Sequence, residues 1–173
     1  MADEIRRIYW DACVFLSYIN EVASRVEVID ELLNKARARE FELLTSSLSH
    51  AEVAFASIEK ERGRLDPDIE NKIDELWRPG SPVTTVEFYD LIGIEARTLM
   101  RQGIAQGWGL LRPADAMHLA TARRMQVAEM HTYDERLLKW NGHVAFPIQE
   151  PFVAQMPLSA GGRVPRNSAS RGE

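Results

Sequence analysis

The chain has 173 residues, enough to bury a sizeable core without disulfides or other staples. Hydrophobic residues make up 45% and charged residues 27%, the proportions of an ordinary globular protein. A formal charge of −5 argues against holding nucleic acid by bulk positive charge, but not against a nuclease whose acidic site is offset by cations. The single cysteine, Cys13, excludes an intrachain disulfide and fits a reducing compartment. Residues 1–7 lack the apolar core of a signal peptide, and no stretch approaches membrane-spanning length. A cytoplasmic protein with no membrane contact is expected.

Ile8, Tyr9 and Trp10 read as a short buried strand that delivers Asp11 at its C-terminal end. Residues 12–19 follow as a short helix. Residues 22–39 form a longer one, in which Val22, Val26, Ile29, Leu32, Leu33 and Ala36 recur at helical spacing. Residues 41–45 make a second strand. Ser47 or Ser49 then caps a helix that carries Glu52 and fades near Gly63. Asp66 as N-cap and Pro67 at the first helical position restart the chain in a helix to Trp77, stopped by Pro79 and Gly80.

Residues 83–86 give a third strand. Residues 88–106 give a long helix with Leu91, Ile94, Ala96 and Leu99 on its inner side. Pro113 opens a helix that ends near Met125. A fourth short strand over 129–132 stops just before Asp134. A last helix over 135–140 leads to Gly142 and an edge strand over 144–146. Strands alternating with helices predict an α/β fold, three layers with a mostly parallel central sheet covered on both faces. One domain over 1–156 is expected, and the Ser-, Gly-, Pro- and Arg-rich tail over 157–173 is expected to be disordered.

Asp115 is the most informative residue. It opens a helix whose inward face is otherwise apolar and small, and shares that face with His118, Leu119 and Ala122. A carboxylate pointing into such packing needs a partner, and a cation would serve. Asp11 and Asp134 directly follow predicted strands, while Glu52 and Asp115 lie in first turns of helices. In an open α/β sheet these places converge at the carboxyl ends of the strands, so an acidic cleft is expected there. Carboxylates and water suit Mg²⁺ or Mn²⁺, and one or two such ions can activate a water against a phosphodiester. Each acid also has a purely structural reading: Asp11 and Asp134 as N-caps, Asp115 as a first-turn acid on the helix dipole, Glu52 as an ion-pair partner of an arginine.

The sequence resembles the PIN-domain ribonucleases. The likeness lies in residues 8–16, around Asp11, in 45–53, around Glu52, in 113–122, around Asp115, and in 131–137, around Asp134. The order is that of the family, and the third motif is the most specific. Size and helix pattern are similar to the toxin subunits of bacterial VapBC toxin–antitoxin pairs. The resemblance implies a PIN-like domain with Asp11, Glu52 and Asp115 as principal acids binding Mg²⁺ or Mn²⁺, and Asp134 at the more variable fourth position. It further implies endoribonuclease activity on RNA, a small antitoxin partner, and a homodimer. The residue after the first acid is often Thr or Ser, whose hydroxyl supports the site. Here it is Ala12, which leaves that support to Ser17 or Ser47.

His118, one turn beyond Asp115, reads first as a partly buried packing residue rather than a ligand or general base. His50 does not share a helical face with Glu52, and Cys13 reads as a small core residue. Arg112 and Arg136 are candidates for RNA phosphates, being nearest in sequence to Asp115 and Asp134. Trp108 and Trp140 read as packing residues before base-stacking ones. Two alternatives compete. A phosphatase of the haloacid-dehalogenase type would want a second Asp where Cys13 stands. A catalytically silent PIN-like protein-binding module need not bind Mn²⁺.

Overall fold

A computed structural model describes residues 5–153, so the boundary at 156 and the tail 157–173 lie outside the described residues. Five strands alternate with eight helices among these residues: β1 (Arg7–Trp10), α1 (Ala12–Ile19), α2 (Val26–Arg37), β2 (Glu42–Ser46), α3 (Ser49–Glu52), α4 (Ser57–Arg62), α5 (Pro67–Trp77), β3 (Val83–Val86), α6 (Asp90–Ala105), α7 (Pro113–Arg124), β4 (Glu129–His131), α8 (Glu135–Leu138) and β5 (Ile148–Gln149). The sheet order is β3-β2-β1-β4-β5, and every pairing is parallel. Successive strands step outward from β1 to β3, then resume on its other side with β4. That reversal makes the carboxyl ends of β1 and β4 the topological switch point, where open α/β sheets place their sites.

Alternation along β1 feeds both layers. Ile8 and Trp10 face a core shared with α1, α2 and α5, including Phe15, Ile29, Leu33 and Leu76. Tyr9 faces the opposite core, built on α6, α7 and Trp140. Two polar groups on β4 are buried and satisfied. Trp10 Nε1 donates to His131 Nδ1 at 3.0 Å, and His131 Nε2 donates to Glu129 at 3.0 Å. Glu129 also accepts from Arg6 and Gln149.

Asp66 caps α5 as its sequence predicts, accepting from the Asp68 amide at 3.0 Å with Pro67 at the first position. Elsewhere the structure differs. The helix expected from residue 22 begins at Val26, after turns in which Glu21 adopts a left-handed φ of 50°. The helix carrying Glu52 is a single turn, and the chain breaks before α4. Neither Ser47 nor Ser49 caps it. Ser46 Oγ accepts from the Leu48 amide, and Ser49 Oγ pairs with Thr45 Oγ1 at 2.8 Å.

On α6 the inner stripe is Ile92, Ala96, Leu99 and Gly103, while Leu91 and Ile94 are 50% and 61% exposed. Two apolar stripes compete on that helix, and the one set by Gly103 wins because only a glycine fits against Trp140. The edge strand falls at Ile148–Gln149 rather than 144–146, registered by Asn141 Oδ1 accepting the Ile148 amide at 3.0 Å. No helix among the described residues is long and apolar enough to cross a membrane.

Candidate active site

Asp11 stands where β1 ends, and its carboxylate caps α1. Oδ1 accepts from the Cys13 amide at 3.2 Å and from Cys13 Sγ at 2.7 Å. Oδ2 accepts from Thr132 Oγ1 at 2.7 Å. Burial pushes this carboxyl above its ordinary range, against the opposing pull of His118 and of its hydrogen bonds. Burial and the Asp11 charge push the Cys13 thiol up as well, so it stays protonated and donates. Cys13 is therefore more than a core filler. The support that Ala12 cannot give comes from Thr132 and Cys13, not from Ser17 or Ser47; Ser17 donates instead to the Cys13 carbonyl at 2.9 Å.

Thr132 links the first acid to the fourth, because its hydroxyl also accepts the Asp134 amide at 2.9 Å. Asp134 caps α8, accepting the Arg136 amide at 2.8 Å, and takes the Arg136 guanidinium at 2.6 Å. The same guanidinium lies 3.6 Å from Asp115 Oδ2. At that distance no hydrogen bond forms, and Asp115 Oδ2 and Arg136 Nε are buried without partners. The Asp115 side chain is only 13% exposed, in the first turn of α7. Burial first, then the charge of Asp134, raises its carboxyl above the usual range, while Arg136 pulls it back.

Glu52 is 30% exposed and accepts from His118 Nε2 at 2.7 Å; among the described residues no arginine pairs with it. His118 sits one turn along α7 from Asp115, fully buried, and its Nδ1 meets the Tyr9 hydroxyl at 2.7 Å. The four acids thus belong to one connected edge. Thr132 joins Asp11 to Asp134, Arg136 joins Asp134 to Asp115, and α7 joins Asp115 to the His118–Glu52 pair. Among the described residues no three His, Cys, Asp or Glu side chains are close enough to hold a metal ion as they stand. Arg136 provides the positive charge between two of the acids.

Of the phosphate candidates, Arg136 is thus committed to carboxylates, whereas Arg112 is exposed at the N-cap of α7. Trp140 is buried in the core, and Trp108 packs edge-on against it and flat on His143, with ring centroids 5.5 and 4.5 Å apart. His50 packs against Trp77 with the ring planes tilted at 49°. Sequence reasoning missed Thr132, Cys13 and Tyr9 as partners of the site. The one available signal was the position of Thr132, at the end of β4 and two residues before an acid.

The five-stranded, all-parallel sheet with helices on both faces defines an α/β protein with Asp11 at its switch point. The chain belongs to the PIN domain family, which matches residues 8–141. Among solved structures it is similar to VapBC2 from Rickettsia felis, determined with a DNA fragment from their promoter. That likeness has a TM-score of 0.60 at 14% identity and covers 83% of this chain and 97% of that one. It is also similar to Mycobacterium tuberculosis VapC20, a sarcin–ricin loop cleaving toxin, with a TM-score of 0.54 at 13% identity, over 74% of this chain and 90% of that one. At such identities these likenesses establish the fold. No curated protein sequence matches the chain.

Proposed function

We propose that the protein is a metal-dependent endoribonuclease and the toxin of a toxin–antitoxin pair, with Asp11, Glu52, Asp115 and Asp134 as its catalytic, metal-holding acids. The observation that carries this reading is the linked edge of four acids, in which buried Asp115 Oδ2 accepts no hydrogen bond among the described residues and has the Arg136 guanidinium as its nearest positive charge, at 3.6 Å. A buried carboxylate oxygen with no donor is costly, and a hard cation is the partner it lacks. Carboxylate oxygens suit Mg²⁺ or Mn²⁺, and a bound cation would offset the burial that raises the Asp11 and Asp115 carboxyls. Such an ion, when bound, supplies an activated water and offsets charge on a phosphodiester.

The chain's own residues do the positioning. Cys13 and Thr132 fix both oxygens of Asp11, and Thr132 ties Asp134 to the same point. Asp115 presents Oδ2, which accepts no hydrogen bond among the described residues, from the first turn of α7. Arg136 holds Asp134 and Asp115 as counter-charge, and exposed Arg112 is the remaining candidate for an RNA phosphate. RNA as substrate is supported by the fold shared with VapC20, itself a sarcin–ricin loop cleaving toxin. A small antitoxin, a homodimer and a cytoplasmic setting belong to the same reading.

Incubating labelled total RNA with the purified protein in Mn²⁺ or in EDTA tests it. Cuts that appear only with Mn²⁺ are expected. Cuts that persist in EDTA would overturn the metal dependence, and none from a sample free of co-purified inhibitor would favour the silent protein-binding module instead.

A further inference from the structure

His118 is buried beside the site, 2% exposed, and both its ring nitrogens are engaged at 2.7 Å. On one side stands Glu52, whose carboxylate only accepts, so Nε2 carries the proton that faces it. On the other stands Tyr9, fully buried on β1, whose phenol O–H donates to Nδ1. The ring also packs edge-on against Tyr9, with centroids 5.8 Å apart and planes at 65°. Three elements are thereby bound into one line: the core strand β1, the Asp115 helix α7, and the single helical turn α3.

That turn needs an external hold. It has four residues, its cap makes no side-chain hydrogen bond, and the chain breaks immediately after Glu52. A helix so short has little stability of its own. Glu52 is also the one acid of the four not tied to the others through Thr132 or Arg136.

We infer that Tyr9 and His118 are positioning residues for Glu52, the phenol fixing the imidazole tautomer and the imidazole aiming the carboxylate at the site. The inference rests on the proposed metal-dependent reading. Partners of this kind behind a metal ligand typically carry about 10–100-fold in metal affinity.

The test is Mn²⁺ affinity of the full chain, by titration calorimetry, with metal-free melting temperature recorded for each variant. Tyr9→Phe and His118→Leu are expected to weaken Mn²⁺ binding by about 10-fold or more. His118→Gln, which keeps a donor near Nε2, is expected to recover most of the loss. Asp115→Asn and Glu52→Gln serve as controls and lose binding if the metal reading holds. Should the controls lose Mn²⁺ while Tyr9→Phe and His118→Leu bind like wild type, with or without a lower melting temperature, the positioning role is overturned and the metal site stands. Should the controls also bind like wild type, the metal reading fails and the inference falls with it.

Discussion

Asp115→Asn is expected to slow RNA cleavage by at least about 10²-fold while making the metal-free protein more heat-stable. The two effects have one cause. Oδ2 of Asp115 is buried, 3.6 Å from the nearest cation and hydrogen-bonded to nothing. Amide for carboxylate keeps the volume and removes a charge that the fold does not fully compensate, and Arg136 retains Asp134 as its close partner at 2.6 Å. Functional sites carry such instability because the ligand, not the fold, is their partner.

The sign of the pH dependence follows from the raised carboxyl. In the fold Asp115 binds its proton more tightly than in the unfolded chain. Its contribution to stability is complete below the ordinary carboxylate range and is lost as pH rises through the higher folded value. The stability advantage of the asparagine variant therefore grows with pH across that window. Mn²⁺ reverses the ranking, since it stabilises only a chain that binds it. Melting curves of both proteins at several pH values, with and without Mn²⁺, check this. Equal stability throughout would contradict it.

Trp140→Ala is expected to cost about 3–5 kcal/mol, a large share of the 5–15 kcal/mol that holds a typical domain together. Trp140 is fully buried between α6 and the α8 region, in the core that carries α7. Its ring lies where a Cβ on residue 103 would come within 2.6 Å, so the α6 backbone closes directly on the indole. Trp108 adds an edge-to-face contact at 88°. Truncation leaves a cavity that α6, with its backbone already against the ring, has little freedom to fill. Urea unfolding with an unchanged slope and a lower midpoint is the expected observation. A loss below about 1 kcal/mol would mean that the core collapses around the gap.

The same tryptophan shows what a sequence reveals and what it hides. β1, α1 and α5 were legible because their signals are local: an apolar run, an acid at its end, an Asp66–Pro67 start. The inner face of α6 was not. Leu91 and Ile94 are as apolar as Ile92 and Leu99, and the choice between stripes is made by a glycine and an indole 37 positions apart. The helix from residue 22 was overextended because Val22 fits its period, whereas turns hold the chain until Val26.

The places of the four acids, at strand ends and in first helical turns, were legible in the sequence. Their supports were not. Thr132 reaches Asp11 across 121 positions through the pairing of β1 with β4, and Tyr9 reaches His118 across 109 where α7 packs on the sheet; no local pattern encodes either contact. The sequence favours packing for His118, because a histidine on an apolar helix face usually packs. Its two hydrogen bonds depend on β1 and α3 both meeting α7.

The most direct test of the account is a crystal of the protein soaked in Mn²⁺ and measured at the manganese absorption edge. An anomalous peak at the edge shared by Asp11, Asp115 and Asp134 is predicted, with Arg136 drawn away from Asp115 to admit the ion. A crystal with no peak there, or with manganese bound only elsewhere on the surface, would contradict the metal centre on which the proposed function depends.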